Sequence, residues 1–202
     1  MKFIPLIRTK EIKKTKQIAD IFSILNKKDD AFTSVYLLDE KGIKNNQPAL
    51  SLYQYTQRWF NTIVDAGCQH VGDVVDVLLA GADIVVIRPN LWGEPDFLSI
   101  RDISESKLYV WYDPFEIEEN NAFASTLFAK ADGIIVYANH LPTSISFEIR
   151  DKIKGLISTH SLEEIILFDS FQTHERELSI FGLKSNIVDL NRIIGEKTNI
   201  YE

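Results

Sequence analysis

Ionisable residues in this chain recur at one kind of place, immediately after a short apolar run. Asp39 follows Phe32–Leu38, Asp65 follows Thr62–Val64, Asp113 follows Lys107–Tyr112 and Asp169 follows Glu164–Phe168. Arg8 and Arg88 follow Lys2–Ile7 and Ile84–Ile87 in the same way, and Asn90, Asn139 and His140 stand just beyond such ends. If the ends meet at one mouth, carboxylates and guanidinium groups face one another there. Like charges at short range push one carboxyl's pKa up and an arginine lowers its neighbour's, so acid and base roles can separate. Arginine's planar fork also suits a phosphate or a carboxylate. Asp113, Asp65 and Asp39 are therefore candidate acid/base residues. Arg8, Arg88, Asn90, Gly67, Asn139 and Asp169 are candidate substrate-binding residues. A plainer use exists for each: strand-end acids accept backbone N–H bonds in tight turns, and the arginines could serve to neutralise Asp39, Asp65 or Asp113.

Other reactive types carry less. Cys68 and His70 are two residues apart in a loop, a spacing that seldom makes a nucleophile pair without a third orienting group. An inert, partly buried thiol is expected instead. His70, His140, His160 and His174 show no metal-ligand spacing, so no metal site is expected, although His140 with Asp113 and Asp169 could hold a divalent ion. Trp92 is the aromatic best placed to stack on a flat ring such as a pterin, while Trp111 points either inward or toward helices. No GxGxxG turn opens a helix, and no redox cofactor is expected.

The elements that position these groups alternate. Thr62–Val64, a helix with Val74, Val75, Leu78 and Leu79 on one face, Gly81 at its end and Ile84–Ile87 make a βαβ unit, which requires parallel strands. Ile134–Tyr137 and Leu178–Phe181 complete the predicted strands. Helices are predicted from Thr9 or Thr15 to Lys28, over Leu50–Trp59, from Gly93, and over Glu118–Ala131, Ser144–Ser158 and Asn186–Ile194. This pattern is α/β, a (β/α)8 TIM-type barrel with its chemistry at the C-terminal strand ends. About nine residues separate the last two predicted strands, too few for a crossover helix. The barrel is therefore expected to be trimmed or irregular after strand seven, leaving an apolar edge that a homodimer contact would cover.

Composition bounds the rest. A 202-residue chain with 45% apolar residues builds one substantial core, and no linker divides residues 1–202. A net charge of −7 argues against a nucleic-acid partner. The basic cluster Lys10, Lys13, Lys14 and Lys16, with Lys27 and Lys28, reads as a solvated helix face. No secretion leader can be laid out and no apolar run approaches the ~18 residues that span a bilayer, so a cytoplasmic protein without a membrane partner is expected. One cysteine excludes an internal disulfide.

Met1–Ile7 (MKFIPLI), Asp65–His70, Asp73–Asp83 and Ile84–Ile87 resemble the histidine-biosynthesis (HisA/HisF-like) barrel family. The resemblance covers roughly residues 1–138. It implies an acid/base pair at the ends of strands one and five: Asp113 keeps the second acid, and Arg8 stands where the first would be. The family's phosphate-binding glycines and threonine after strands three and four become Ala66-Gly67 and Pro89. Those after strands seven and eight become Asp169-Ser170-Phe171 and, at best, Gly182 and Lys184. These departures exclude the parent isomerase and cyclase activities. The chain looks like a divergent relative of the subgroup linked to tetrahydromethanopterin one-carbon metabolism. The resemblance implies an isomerase- or lyase-type acid–base enzyme acting on a small anionic, phosphorylated metabolite, in cofactor biosynthesis or one-carbon metabolism. The alternative is a non-catalytic barrel that binds a metabolite or supports a partner protein.

Overall fold

Eight parallel strands close into a barrel in chain order: β1 (Lys2–Arg8), β2 (Ser34–Leu38), β3 (Asn61–Asp65), β4 (Ile84–Ile87), β5 (Lys107–Tyr112), β6 (Gly133–Tyr137), β7 (Ile165–Phe168) and β8 (Ser185–Asp189). The computed structural model describes residues 1–29, 32–92, 99–100, 104–115, 128, 130–142, 145–159, 165–183 and 185–195. The helix expected from Gly93, most of that over Glu118–Ala131, and Lys184 lie outside them. The described helices are α1 (Lys16–Lys28), α2 (Glu40–Asn45), α3 (Leu50–Thr56), α4 (Val71–Leu79), α5 (Phe147–Thr159), α6 (Glu175–Leu178) and α7 (Leu190–Ile194), with 3₁₀ turns at Thr9–Glu11 and Ser179–Phe181. None is long and apolar enough to cross a membrane.

Local chemistry explains where the helices begin. In α1, Ile18, Ile21 and Leu25 are the buried face, at helical spacing. Thr15 occupies the N-cap position but makes no side-chain cap. Instead, Oε1 of Gln17 accepts from the N–H groups of Lys13 and Lys14, each at 2.8 Å. At α4 the cap is reciprocal: Nδ1 of His70 accepts from Asp73 N at 3.3 Å, while the Asp73 carboxylate accepts from His70 N at 3.3 Å and Gln69 N at 2.8 Å. That use ties His70 to the helix start.

Two apolar layers result. Ile4, Leu6, Tyr36, Ile63, Val86, Tyr109, Trp111, Ile135, Phe168 and Ile187 fill the barrel interior. The intervening strand residues, such as Ile7, Leu37, Val64, Val85, Val110 and Val136, pack with Ile18, Leu25, Val74, Val77 and Ile153 of the helices. Trp92 belongs to this helix-side core and is 7% exposed, so the expected ring-stacking surface is buried.

The chain's last quarter differs from expectation. Leu178–Phe181 falls in α6 and the 3₁₀ turn, and the eighth strand is Ser185–Asp189, so Asn186 lies in a strand and the last helix is only Leu190–Ile194. Short apolar runs do not distinguish strand from helix by periodicity alone. Pairing decides here: Ser185 to Ile187 pair with Ile166 to Phe168, and Ser185 to Asp189 pair with Lys2 to Leu6. The expected open edge after strand seven is absent, because β8 joins β7 to β1.

Gly42 and Gly67 mark the tightest approach. A Cβ on Gly67, at φ +69°, would lie 2.4 Å from Ile43 Cα, and one on Gly42 would lie 2.4 Å from the Ala66 carbonyl oxygen. Both obstacles are backbone, so neither can swing aside. Gly67→Ala should therefore lower stability by about 2 kcal/mol or more. Urea unfolding checks this; a loss within about 0.5 kcal/mol, the range of an ordinary surface change, would show that the two loops can separate without cost.

Candidate functional site

Successive side chains on a strand point to opposite faces, so the position two beyond an inward core residue also faces the axis. Leu6 leads to Arg8, Leu38 to Glu40, Ile63 to Asp65, Val86 to Arg88, Trp111 to Asp113, Tyr137 to Asn139 and Ile187 to Asp189. At the C-terminal end of the barrel these inward series surround a cavity of about 250 Å³, lined by Arg8, Leu38, Glu40, Arg88, Trp111, Asp113, Tyr137, Asn139, His140 and Phe168.

The floor is aromatic. Trp111 lies 4.7 Å from Tyr137 and 5.2 Å from Phe168 between ring centres, and the Arg88 guanidinium sits 4.1 Å above Trp111. Arg88 grips Asp65 with its fork: Nε reaches the two oxygens at 2.9 and 3.2 Å, and Nη2 reaches Oδ2 at 2.7 Å. The Tyr36 hydroxyl donates to the same carboxylate at 2.8 Å. Arg8 donates to Asp189 at 2.5 Å, and Lys10 to Glu40 at 2.6 Å. Asn139 is held by Ser170, donating to its hydroxyl and accepting from its N–H, both at 2.9 Å.

Asp113 is different. It is 2% exposed and, among the described residues, has no arginine or lysine partner. Oδ1 accepts from Phe115 N at 2.9 Å, and Oδ2 lies 3.9 Å from Nδ1 of His140. The His140 ring is largely exposed, and its Nε2 meets the Tyr137 hydroxyl at 3.2 Å. A buried carboxylate, a histidine and a phenol are thus in line at the cavity wall.

The structure brings Arg8, Arg88, Asp65, Asp113 and Asn139 together and leaves the other expected residues elsewhere. Asp39 and Asp169 have the opposite strand parity, following Leu37 and Leu167 of the helix-side layer. Asp39 is fully buried and accepts from Thr9 Oγ1, Lys41 N, Gly42 N, Ala49 N and the Tyr53 hydroxyl. Asp169 accepts from Thr173 N at 3.0 Å and His174 N at 2.7 Å, which also keeps it from joining His140 and Asp113 around an ion. Gly67 serves the close approach to α2, and Asn90 is exposed on the turn after β4, away from the cavity lining. Cys68 is buried, and burial pushes its thiol pKa up, with Asp73 and Asp65 nearby adding to the shift.

Sequence reasoning missed Glu40, Asp189 and Tyr137. The available signal was aromatic: Tyr109 and Trp111 share the parity of Asp113, and Tyr137 that of Asn139.

Comparison with known proteins supports the fold. No family model matches the chain, and no curated protein matches it. Among solved structures, the chain is similar to one from the tryptophan synthase α2β2 complex of Pyrococcus furiosus, at 14% identity and a TM-score of 0.66, covering 99% of this chain and 92% of that one. It is also similar to the tryptophan synthase A-subunit of the same organism (13% identity, TM-score 0.64, 99% and 93% covered). Dihydrodipicolinate synthase from Agrobacterium tumefaciens str. C58 matches at 11% identity and TM-score 0.61, over 94% of this chain and 68% of that one. The chain shares the TIM-barrel fold of these enzymes.

Two outcomes follow from the buried groups. Arg88→Met leaves the fully buried Asp65 carboxylate without its cation and should cost about 3 kcal/mol in urea unfolding, whereas Asp65→Asn combined with Arg88→Met should recover part of that loss. Tyr36 and Tyr53 have pKa values held above the ordinary tyrosine value by burial first, and by Asp65 and Asp39 next. The folded state therefore retains protons that the unfolded chain releases, so stability is intact below pH ~10 and falls as pH rises beyond it. Once the unfolded tyrosines are ionised, the expected slope is about 1.4 kcal/mol per pH unit per tyrosine, read from urea midpoints across that range. Tyr36→Phe should remove one such contribution; an unchanged slope would show that Tyr36 is not the titrating group.

Proposed function

We propose that the protein is a barrel enzyme that moves a proton on a small anionic metabolite at the mouth, with Asp113 and His140 as the acid/base pair. One observation carries this reading: Asp113 is the mouth's only described acid without a guanidinium or ammonium partner, and it faces the exposed His140 across 3.9 Å. A carboxylate behind an imidazole orients the ring that carries the proton. Tyr137, on the opposite ring nitrogen, supplies a second proton-bearing group within reach of a ligand on the aromatic floor. The two arginines, each committed to a carboxylate, shape the cavity and offer their outer edges to an anion. The resemblance of residues 1–138 to the histidine-biosynthesis barrels supports an isomerase- or lyase-type reaction on a phosphorylated metabolite, in cofactor biosynthesis or tetrahydromethanopterin-linked one-carbon metabolism. The non-catalytic reading has its own support in those same ion pairs, since Arg8 and Arg88 already hold internal anions.

The test is a thermal-shift screen of phosphosugars, pterins and small carboxylates, followed by proton NMR of each hit in deuterated buffer. A substrate should exchange a carbon-bound proton with solvent. Asp113→Asn and His140→Gln should each slow that exchange by about a hundredfold or more while the ligand still binds. Ligands that bind without exchange or turnover would sink the catalytic reading in favour of the binding one.

A further inference from the structure

Only part of the basic cluster singled out in the sequence lies on a helix: Lys16, Lys27 and Lys28 belong to α1, whereas Lys10, Lys13 and Lys14 precede it. Residues 8–16 (RTKEIKKTK) carry a net charge of +4 in a chain of net −7, and they run from the end of β1 through a 3₁₀ turn and loop to the first residue of α1. Lys10 and Lys13 instead line a cavity of about 600 Å³, closed on its other side by Lys41 and by Pro48, Leu50 and Ser51 ahead of and within α3. Lys10 is paired with Glu40 at 2.6 Å. Among the described residues, the ammonium groups of Lys13 and Lys41 have no acid and no hydrogen-bond partner. The one carboxylate in the lining, Asp39, is fully buried and its oxygens are taken by internal donors, including Ala49 N at 2.7 Å, so it does not compete for the lysines.

This groove and the mouth are two sides of the same strand ends. Arg8, Leu38 and Glu40 line the mouth, whereas Thr9, Lys10, Asp39 and Lys41 line the groove. The Lys10–Glu40 pair joins them, with Lys10 in the groove lining and Glu40 in the mouth lining. The loops after β7 and β8, by contrast, spend their N–H groups on the chain's own carboxylates: Thr173 and His174 donate to Asp169, and Asn191 donates to Asp189 at 3.0 Å. Those three N–H groups are therefore taken, whereas the groove offers ammonium groups that have no partner among the described residues.

We infer that the groove between the β1 and β2 loops binds the phosphate-bearing arm of the ligand, with Lys13 and Lys41 as its cationic contacts and Ile12 and Pro48 flanking its apolar part. The inference builds on the proposed function, since it takes the reacting end of the same ligand to lie in the mouth.

Pyrophosphate is the probe, titrated calorimetrically into the full chain at fixed ionic strength. The wild type should bind it. Lys13→Gln combined with Lys41→Gln should weaken binding about tenfold or more, the effect of losing charge-assisted contacts. Lys27→Gln with Lys154→Gln, which removes the same charge from exposed positions on α1 and α5, should stay within about twofold. No binding by the wild type, or equal losses in the two double variants, would overturn the groove assignment. Citrate binding as tightly as pyrophosphate would overturn its phosphate preference. Asp113→Asn separates the two readings: it should slow deuterium exchange by about a hundredfold or more and leave pyrophosphate binding unchanged. If pyrophosphate binds the groove and no ligand ever exchanges, the acid/base reading fails alone.

Discussion

A carboxylate with no solvent exposure stands at the end of β3, and the structure of the mouth depends on what makes that tolerable. Taking an ionised Asp65 out of water costs several kcal/mol unless a cation and hydrogen bonds replace the lost hydration. Arg88 provides both through two nitrogens, and Tyr36 adds a third donor from inside the barrel. The Arg88 guanidinium in turn sits over Trp111, which packs on Tyr137 and Phe168. The ion pair is thus continuous with the aromatic floor.

The same economy of internal charge runs around the mouth. Arg8 faces Asp189, Arg88 faces Asp65 and Lys10 faces Glu40, which leaves Asp113 as the acid whose nearest basic group is the exposed imidazole of His140. Three loops carry their own anions as well: Asp39, Asp169 and Asp189 each accept from backbone N–H groups at the start of the following segment. Carboxylates there satisfy donors that would otherwise be free at helix starts.

Two cavities then share one wall. Arg8 at the end of β1 and Glu40 at the start of α2 line the mouth, while Lys10 in the 3₁₀ turn and Lys41 in α2 line the lysine-lined groove. The fold therefore places Asp113 and His140 in the mouth, and Lys13 and Lys41, whose ammonium groups have no partner among the described residues, in the groove.

The sequence by itself determined the architecture. Short apolar runs alternating with amphipathic stretches mark β1 to β7 within a few residues, and the helix between β3 and β4 is legible from its apolar face and closing glycine. Those signals are local, so they survive without knowledge of partners. The eighth strand was not legible, because Ser185–Asp189 has only two apolar residues and becomes a strand by pairing with β7 and β1 at once. The candidate site was half legible. Strand-end acids and arginines are visible in sequence, but which of them face the axis is not. In a parallel barrel both faces of every strand are buried, so apolar residues run continuously and the alternation leaves no polar trace. Only the closed barrel set the parity, sending Asp65, Asp113, Arg8 and Arg88 inward with Glu40 and Asp189, and turning Asp39 and Asp169 outward to hold their own loops.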